Sequence, residues 1–303
     1  MKVLVLGANG LVGSSLVRNL KIDKISEVIP ATRKDANLFS SSETEKLINE
    51  IKPKVIINAA ARVGGINANS TNRTEFILEN LKININLLES LINHKEISLI
   101  NLGSSCIYPL GAEIPIKEDS LMMGPLEPTN SPYAMAKLTA IEMGDAITKQ
   151  YGNTIINLMP TNMYGPNDNF SESSSHVIPG LIRRLYDAKQ DKLESFSVWG
   201  TGKPKREFLH VDDLTDAIEF LIENNHTPQL LNIGSGEEVT IKELVYKLKD
   251  IIGYSGEIIF DSSMPDGNPR KLLDSTKINS LGWKAKVNLD KGLMSTFNWF
   301  IDN

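Results

Sequence analysis

The sequence has one cysteine, Cys106, so no intramolecular disulfide can brace it. Its 4 histidines are scattered without cysteine or histidine partners at ligand spacing, which argues against a metal site of the zinc type. No run approaches the roughly 18 consecutive apolar residues of a membrane-spanning helix. The opening Met1-Lys2-Val3-Leu4-Val5-Leu6-Gly7 is too short an apolar run for a secretory leader and lacks a small-residue cleavage site, so a cytoplasmic protein with no membrane partner is expected. Basic runs are missing as well: 32 Lys and Arg stand against 37 Asp and Glu, a net charge of −5, which argues against nucleic acid as a partner. What the 303 residues do contain, 41% hydrophobic against 23% charged, is enough apolar material to bury a sizeable core.

That material is arranged in an alternating rhythm. Val3-Leu4-Val5-Leu6 runs into glycines and then into a helical pattern carrying Leu11, Val12, Leu16, Val17 and Leu20. Val28-Ile29-Pro30-Ala31, a helix over 44–51, Val55-Ile56-Ile57-Asn58-Ala59, a helix over 74–93 with Phe76, Ile77, Leu81, Ile85, Leu88 and Ile92, and Ser98-Leu99-Ile100-Asn101-Leu102 continue it. A further helix is predicted over 132–151, with Pro132 at its first position and Ser131 as cap, followed by the strand Ile155-Ile156-Asn157-Leu158-Met159. Strands apolar throughout must be covered on both faces, so the fold class is α/β with a Rossmann-type doubly wound parallel sheet. After Gly165 the loops lengthen and the rhythm turns irregular. Residues 1–165 are therefore expected to form a dinucleotide-binding domain and 166–303 a smaller, partly discontinuous α/β substrate domain. Segments near 206–234 return to the first, with Phe208-Leu209-His210-Val211 the candidate strand.

Two local patterns carry chemistry. Gly7-Ala8-Asn9-Gly10-Leu11-Val12-Gly13 sits between the first strand and the first helix, where glycines allow a tight turn, close approach of a pyrophosphate, and close helix–strand packing. The spacing alone also fits a plain turn; its place at the start of an α/β chain favours a dinucleotide. The second strand ends in Ala31-Thr32-Arg33-Lys34 with no acid before Asp35, so Arg33 and Lys34 are placed to meet a 2′-phosphate, and NADP(H) is expected over NAD. In the second pattern, Tyr133-Ala134-Met135-Ala136-Lys137, the phenol and the ammonium share a helix face. A nearby ammonium is expected to lower the tyrosine's pKa and ready it for proton exchange with a carbonyl oxygen. Ser104 lies 29 residues upstream at the carboxyl end of a predicted parallel strand, where ligands bind, and completes a Ser-Tyr-Lys set.

This set resembles the extended short-chain dehydrogenase/reductase family. Longer segments sharpen the likeness toward its members that act on GDP-sugars: Gly103-Ser104-Ser105-Cys106-Ile107-Tyr108-Pro109, Pro160-Thr161-Asn162-Met163-Tyr164-Gly165-Pro166-Asn167-Asp168-Asn169-Phe170, Ser175-His176-Val177-Ile178-Pro179, Arg206-Glu207-Phe208-Leu209-His210-Val211-Asp212-Asp213 and Gly267-Asn268-Pro269-Arg270-Lys271-Leu272-Leu273-Asp274. The resemblance implies an NADPH-dependent enzyme that inverts C3 and C5 of GDP-4-keto-6-deoxy-D-mannose and reduces C4 to give GDP-L-fucose. It implies Ser104, Tyr133 and Lys137 as the reductive set, and Cys106 and His176 as the acid/base pair for inversion. It implies cofactor contacts along 7–13, from Arg33, Lys34, Asp35, Ala36, Asn37 and Leu38, from Leu102, Gly103, Ser104 and Ser105, from Lys137, from Pro160, Thr161, Asn162 and Met163, and from His176. Arg184, Trp199, Arg206, Asp266 and Lys271 would then hold the GDP-sugar. Asn9 stands where some relatives carry a basic residue, which leaves the 2′-phosphate to Arg33 and Lys34. The resemblance also implies a homodimer joined through the helices predicted at 74–93 and 132–151, although their apolar faces could instead cover the sheet. Two rival readings are another NADP-dependent nucleotide-sugar epimerase or reductase and a non-catalytic NADP-binding regulator; the intact proton-donor set speaks against the second. His210, followed by a helix start, reads as structural.

Overall fold

A computed structural model describes residues 1–264 and 266–303. The chain runs through β1 (Lys2–Leu6), α1 (Leu11–Asn19), β2 (Glu27–Ala31), α2 (Ser41–Ile51), β3 (Val55–Asn58), α3 (Ile66–Thr71), α4 (Arg73–Leu91), β4 (Ser98–Leu102), α5 (Ser131–Tyr151) and β5 (Ile155–Pro160). It continues through β6 (Asn162–Tyr164), α6 (Val177–Gln190), β7 (Ser195–Trp199), β8 (Lys205–His210), α7 (Val211–Glu223) and β9 (Leu230–Ile233). The last elements are β10 (Glu238–Thr240), α8 (Ile241–Ile252), β11 (Glu257–Asp261), β12 (Arg270–Lys271), α9 (Thr276–Leu281) and α10 (Leu289–Asp302).

Six strands form one parallel sheet in the order β2-β1-β3-β4-β5-β9. Successive residues of β1 face opposite ways, and both faces are covered. Val3 and Val5 pack with Leu16, Leu214 and Ile218 of α1 and α7, while Leu4 and Leu6 pack with Leu47, Ile48, Leu87 and Leu88 of α2 and α4. Burying each such side chain contributes roughly 1.5–3 kcal/mol, which is why these strands read as unbroken apolar runs. A second core joins α6, α8 and α10 to the small sheets β10-β8-β12, with β6 on β8, and β11-β7.

Four sequence expectations shift in the structure. The strand that returns to the main sheet is β9; Phe208-Leu209-His210 belongs to β8, which pairs with β6, β10 and β12 instead. Helix α2 starts three residues before 44, because Ser40 caps it by accepting the Glu43 N–H. Asn130 rather than Ser131 is the cap position of α5, and no side chain caps it. Helix α4 is rotated from the face that its leucines and isoleucines suggest: Asn80 and Asn84 are buried with Phe76, Ile83 and Leu87, leaving Leu78 and Ile85 exposed. Asn80 turns inward because its amide exchanges hydrogen bonds with the backbone of Arg62 (3.1 and 3.0 Å), so its burial leaves no polar atom unmet.

Asn84 belongs to a chain of amides crossing the sheet. Asn58 donates to Asn101 at 2.9 Å, Asn101 donates to Asn157 at 3.3 Å, and Asn58 also reaches Asn84 at 3.5 Å. Asn101 is the middle link. Asn101→Leu strands one buried donor and one buried acceptor, and is expected to lower stability by about 3 kcal/mol, read from the urea midpoint at unchanged slope. A loss below about 1 kcal/mol would show that the array is not a structural element.

Candidate active site

The carboxyl ends of β1 to β5 open into a cleft of about 1460 Å³ that runs over to α6, β7 and β8. Its floor at one end is the glycine loop. Gly7, at φ +76°, donates to the Ala31 carbonyl, and a Cβ on it would meet the Ala59 backbone at 2.8 Å. A Cβ on Gly13 would lie 2.1 Å from the Gly7 carbonyl oxygen. Gly10 differs: the nearest protein atom would be 3.5 Å away, so its missing side chain leaves room toward the cleft instead of relieving a clash within the protein. No side chain caps α1, whose first N–H groups are thus open to an anion. This cradle, with cations beyond it, fits the pyrophosphate of a dinucleotide.

Arg33 and Lys34 stand exposed on the rim beyond β2. Asp35 does not join them on the wall. Its carboxylate accepts from Thr32 N at 2.8 Å and Thr32 Oγ1 at 2.9 Å, bonds that hold it below the usual carboxylate range and close the turn. Ala8 and Gly13 likewise lie behind the wall, as backbone support for the loop. The other residues that the sequence assigns to cofactor or GDP-sugar all line the cleft.

Past the glycine loop, β4 delivers Ser104. Its Oγ accepts the Cys106 N–H at 3.2 Å and so fixes the turn that presents the thiol. Tyr133 and Lys137, one turn apart on α5, come to the same place. Tyr133 is buried, its ring edge-on to Phe76, with Ser104 beside it on the cleft wall. Lys137 is also buried: its ammonium donates to the Leu102 carbonyl at 2.6 Å and lies 5.9 Å from the centroid of the Tyr133 ring.

The ionisation of this pair runs against the sequence expectation. Burial pushes the Tyr133 phenol up, negative charge on Cys106 pushes the same way, and the neighbouring Ser104 hydroxyl only partly opposes them. Desolvation outweighs the ammonium, so Tyr133 holds its proton at neutral pH. Burial also pulls Lys137 down to about 8.

His176 occupies the cap position of α6 with its ring open to the cleft, yet enough protein surrounds it to pull its pKa down, leaving a neutral imidazole at pH 7. Arg184, on α6, donates to the Ser197 carbonyl at 2.8 Å and stacks its guanidinium 4.9 Å from the Phe196 ring centre. Trp199 ends β7 with 62% of its surface free, a plate on the cleft wall rather than a core residue. Asp266 accepts from Thr201 N (2.6 Å) and Oγ1 (2.8 Å), which secures the turn after Trp199. Arg206 and Lys271 sit side by side on β8 and β12. Among the five residues expected around the sugar nucleotide there are thus three cations and one aromatic plate.

Two participants escaped the sequence reading. Glu207 is fully buried behind Arg206, and its carboxylate accepts the N–H groups of Gly236 (2.8 Å) and Leu273 (3.1 Å), tying the segment of Lys271 to β8. A charged residue inside the strand run Glu207-Phe208-Leu209 was the available signal. Asp168 lines the cleft with one oxygen unpartnered, and burial raises its pKa to about 7. His210 lies off the cleft, capping α7 and bonding Ser295. Among the described residues no group of histidine, cysteine and carboxylate side chains could hold a metal ion.

The NAD dependent epimerase/dehydratase family model matches residues 3–234. The chain is 46% identical over 302 residues to GDP-L-fucose synthase 1 of Arabidopsis thaliana, covering all of this chain and 94% of that protein. It is 42% identical over 311 residues to GDP-L-fucose synthase of Escherichia coli K12, covering 100% and 97%. In structure it superposes on a GDP-L-fucose synthetase from Naegleria fowleri bound to NADP with TM-score 0.91, at 28% identity, over 100% of this chain and 93% of that one.

Proposed function

The chain belongs to the NAD dependent epimerase/dehydratase family, and from that premise we propose that it converts GDP-4-keto-6-deoxy-D-mannose to GDP-L-fucose, inverting C3 and C5 and then reducing C4 with NADPH. The observation that carries the reading is one cleft whose wall brings together a protonated Tyr133, Ser104, Lys137 and the thiol of Cys106.

The C4 ketone acidifies the hydrogens on C3 and C5. Cys106 and His176 supply a thiol and a neutral imidazole: one removes the proton from carbon, the other returns one to the opposite face, and the centre inverts with no net proton change. Ser104 and Tyr133 hold the C4 oxygen, which draws charge from the ketone as the enolate forms. The glycine loop would hold NADPH, with Arg33 and Lys34 to meet its 2′-phosphate, and the bound cofactor would supply hydride to C4. Tyr133 then gives its proton to the C4 oxygen, and its raised pKa suits that task, because the phenol remains a donor until the oxygen is basic. Arg184 and Arg206 neutralise the diphosphate, and Trp199 offers a face for the base. Mixing the protein with GDP-4-keto-6-deoxy-D-mannose and NADPH should oxidise the cofactor stoichiometrically and yield GDP-L-fucose by NMR. A product reduced at C4 but uninverted would replace this reading with a simple 4-reductase.

The phenolate left by that transfer is stabilised by the Lys137 ammonium. Since Lys137 lies at about 8, its charge is present below that pH and lost above it. Single-turnover NADPH oxidation should therefore slow by about tenfold per unit as pH rises beyond 8. A flat profile to pH 10 would remove Lys137 from this role.

The same reading divides the chain into a dinucleotide-binding part, residues 1–165 with segments near 206–234, and a GDP-sugar part in the remainder of 166–303. It also takes the molecule as a homodimer. Leu78 and Ile85 of α4 and Met135 of α5 are exposed on the side turned from the sheet, an apolar strip suited to a second copy. Light scattering should give twice the 33.5 kDa chain mass, and Ile85→Asp should shift it to one; a monomeric parent protein would remove the dimer. A single free thiol at the reacting centre suits a reducing compartment, the cytoplasm.

A further inference from the structure

Cys106 has a cationic neighbour. The Nζ of Lys271 stands 3.8 Å from its Sγ, although 165 residues separate them. The approach is built into the backbone on both sides. Ser104 fixes the N–H of Cys106. On the other side, Lys271 is registered against Arg206 in the β12–β8 pair, Leu273 donates to the buried carboxylate of Glu207 at 3.1 Å, and Ile116 exchanges hydrogen bonds with Leu272 and Asp274 at 2.9 and 2.8 Å. Among the described residues no carboxylate lies within 4.0 Å of the Lys271 ammonium, so its charge is not already answered by an ion pair.

The other titratable groups on this wall do not supply that charge. Tyr133 is a neutral phenol, His176 a neutral imidazole, Lys137 directs its ammonium to the Leu102 carbonyl, Arg206 directs its guanidinium to the Lys205 carbonyl at 2.8 Å, and the carboxylate of Glu127 is held by Thr129 and Asn130. During each inversion sulfur bears negative charge at one stage, either before it takes the proton from carbon or after it has given its own to the opposite face. A negative sulfur beside a buried phenol would be disfavoured unless a cation stood beside it.

We propose that Lys271 is the counter-ion of Cys106: a positioning residue for inversion that keeps its own proton throughout and stabilises the thiolate by charge. This rests on the proposed function for the use made of the thiolate, and on geometry alone for the pairing.

Because Cys106 is the chain's one cysteine, alkylation by iodoacetamide reports it without background. At pH 7 Lys271→Met should be alkylated about tenfold more slowly than the parent, Lys271→Arg within about twofold of it, and the gap should close near pH 10, where a thiol ionises unaided. Lys271→Gln, a donor without charge, should behave as Lys271→Met and carries the comparison if the methionine variant fails to bind NADPH. Equal rates for parent and uncharged variants at pH 7, or a gap that persists at pH 10, would overturn the pairing. A second arm measures deuterium uptake from solvent at C3 and C5 of GDP-4-keto-6-deoxy-D-mannose. Uptake should fall in kcat more than in KM for Lys271→Gln. A parent protein that shows the alkylation pattern but takes up no deuterium would overturn the proposed function and leave the pairing standing.

Discussion

Tyr133→Phe should reduce GDP-4-keto-6-deoxy-D-mannose about a thousandfold more slowly than the parent protein, while still exchanging the hydrogens on C3 and C5 with solvent. The substitution removes one oxygen and nothing else of consequence. The ring keeps its edge-on contact with Phe76, and Ser104 still lines the cleft to meet the substrate oxygen. Stability and NADPH affinity should therefore change little, which fluorescence titration of the cofactor would check. What is lost is the proton for C4. Neither neighbour can replace it: Lys137 directs its ammonium to the Leu102 carbonyl, and Ser104 is a far weaker acid than a phenol. Inversion slows, since one of the two groups that hold the C4 oxygen is gone, but survives because the thiol and the imidazole do not use the tyrosine proton. NADPH oxidation within about tenfold of the parent would mean that another group protonates C4.

The elements this experiment depends on were legible to different degrees. The glycine loop and the parallel strands are local patterns, and so is the Tyr133–Lys137 face, since i and i+4 on one helix meet whatever the rest of the chain does. Ionisation was not legible. The spacing shows an ammonium near a phenol but cannot show that both are buried, and burial decides the sign for Tyr133. The role of polar residues inside apolar runs was not legible either. Asn58, Asn101 and Asn157 sit within the assigned strands and are linked across them, and Asn80 and Asn84 turn α4 away from the face that its aliphatic residues suggest. Asp35 reads as a cofactor contact until its two bonds to Thr32 are seen. Contacts such as Lys271 with Cys106, or Glu207 with Leu273, join segments whose separation in sequence carries no signal at all.

Cys106→Ser separates the two halves of the reaction from the other side. A serine hydroxyl holds its proton far more tightly than a thiol, so it can neither take a proton from C3 or C5 nor part with one at neutral pH, and inversion should fall by a factor of about a hundred or more. The local frame is unchanged, since Ser104 binds the backbone N–H of residue 106 and not its side chain. The Ser104–Tyr133 pair is untouched and still meets a ketone at C4. The variant should therefore continue to oxidise NADPH, and NMR should find a GDP-sugar reduced at C4 with the C3 and C5 configurations of the substrate. His176, which retains its place at the start of α6, cannot complete the inversion alone, because a single base withdraws and returns a proton on the same face. If Cys106→Ser still produced GDP-L-fucose at close to the parent rate, the second proton carrier would have to be sought elsewhere on the cleft wall. Asp168 would then be the group to change next, as its unpartnered oxygen lines the cleft and burial has raised it to about 7, where it can both give and take a proton.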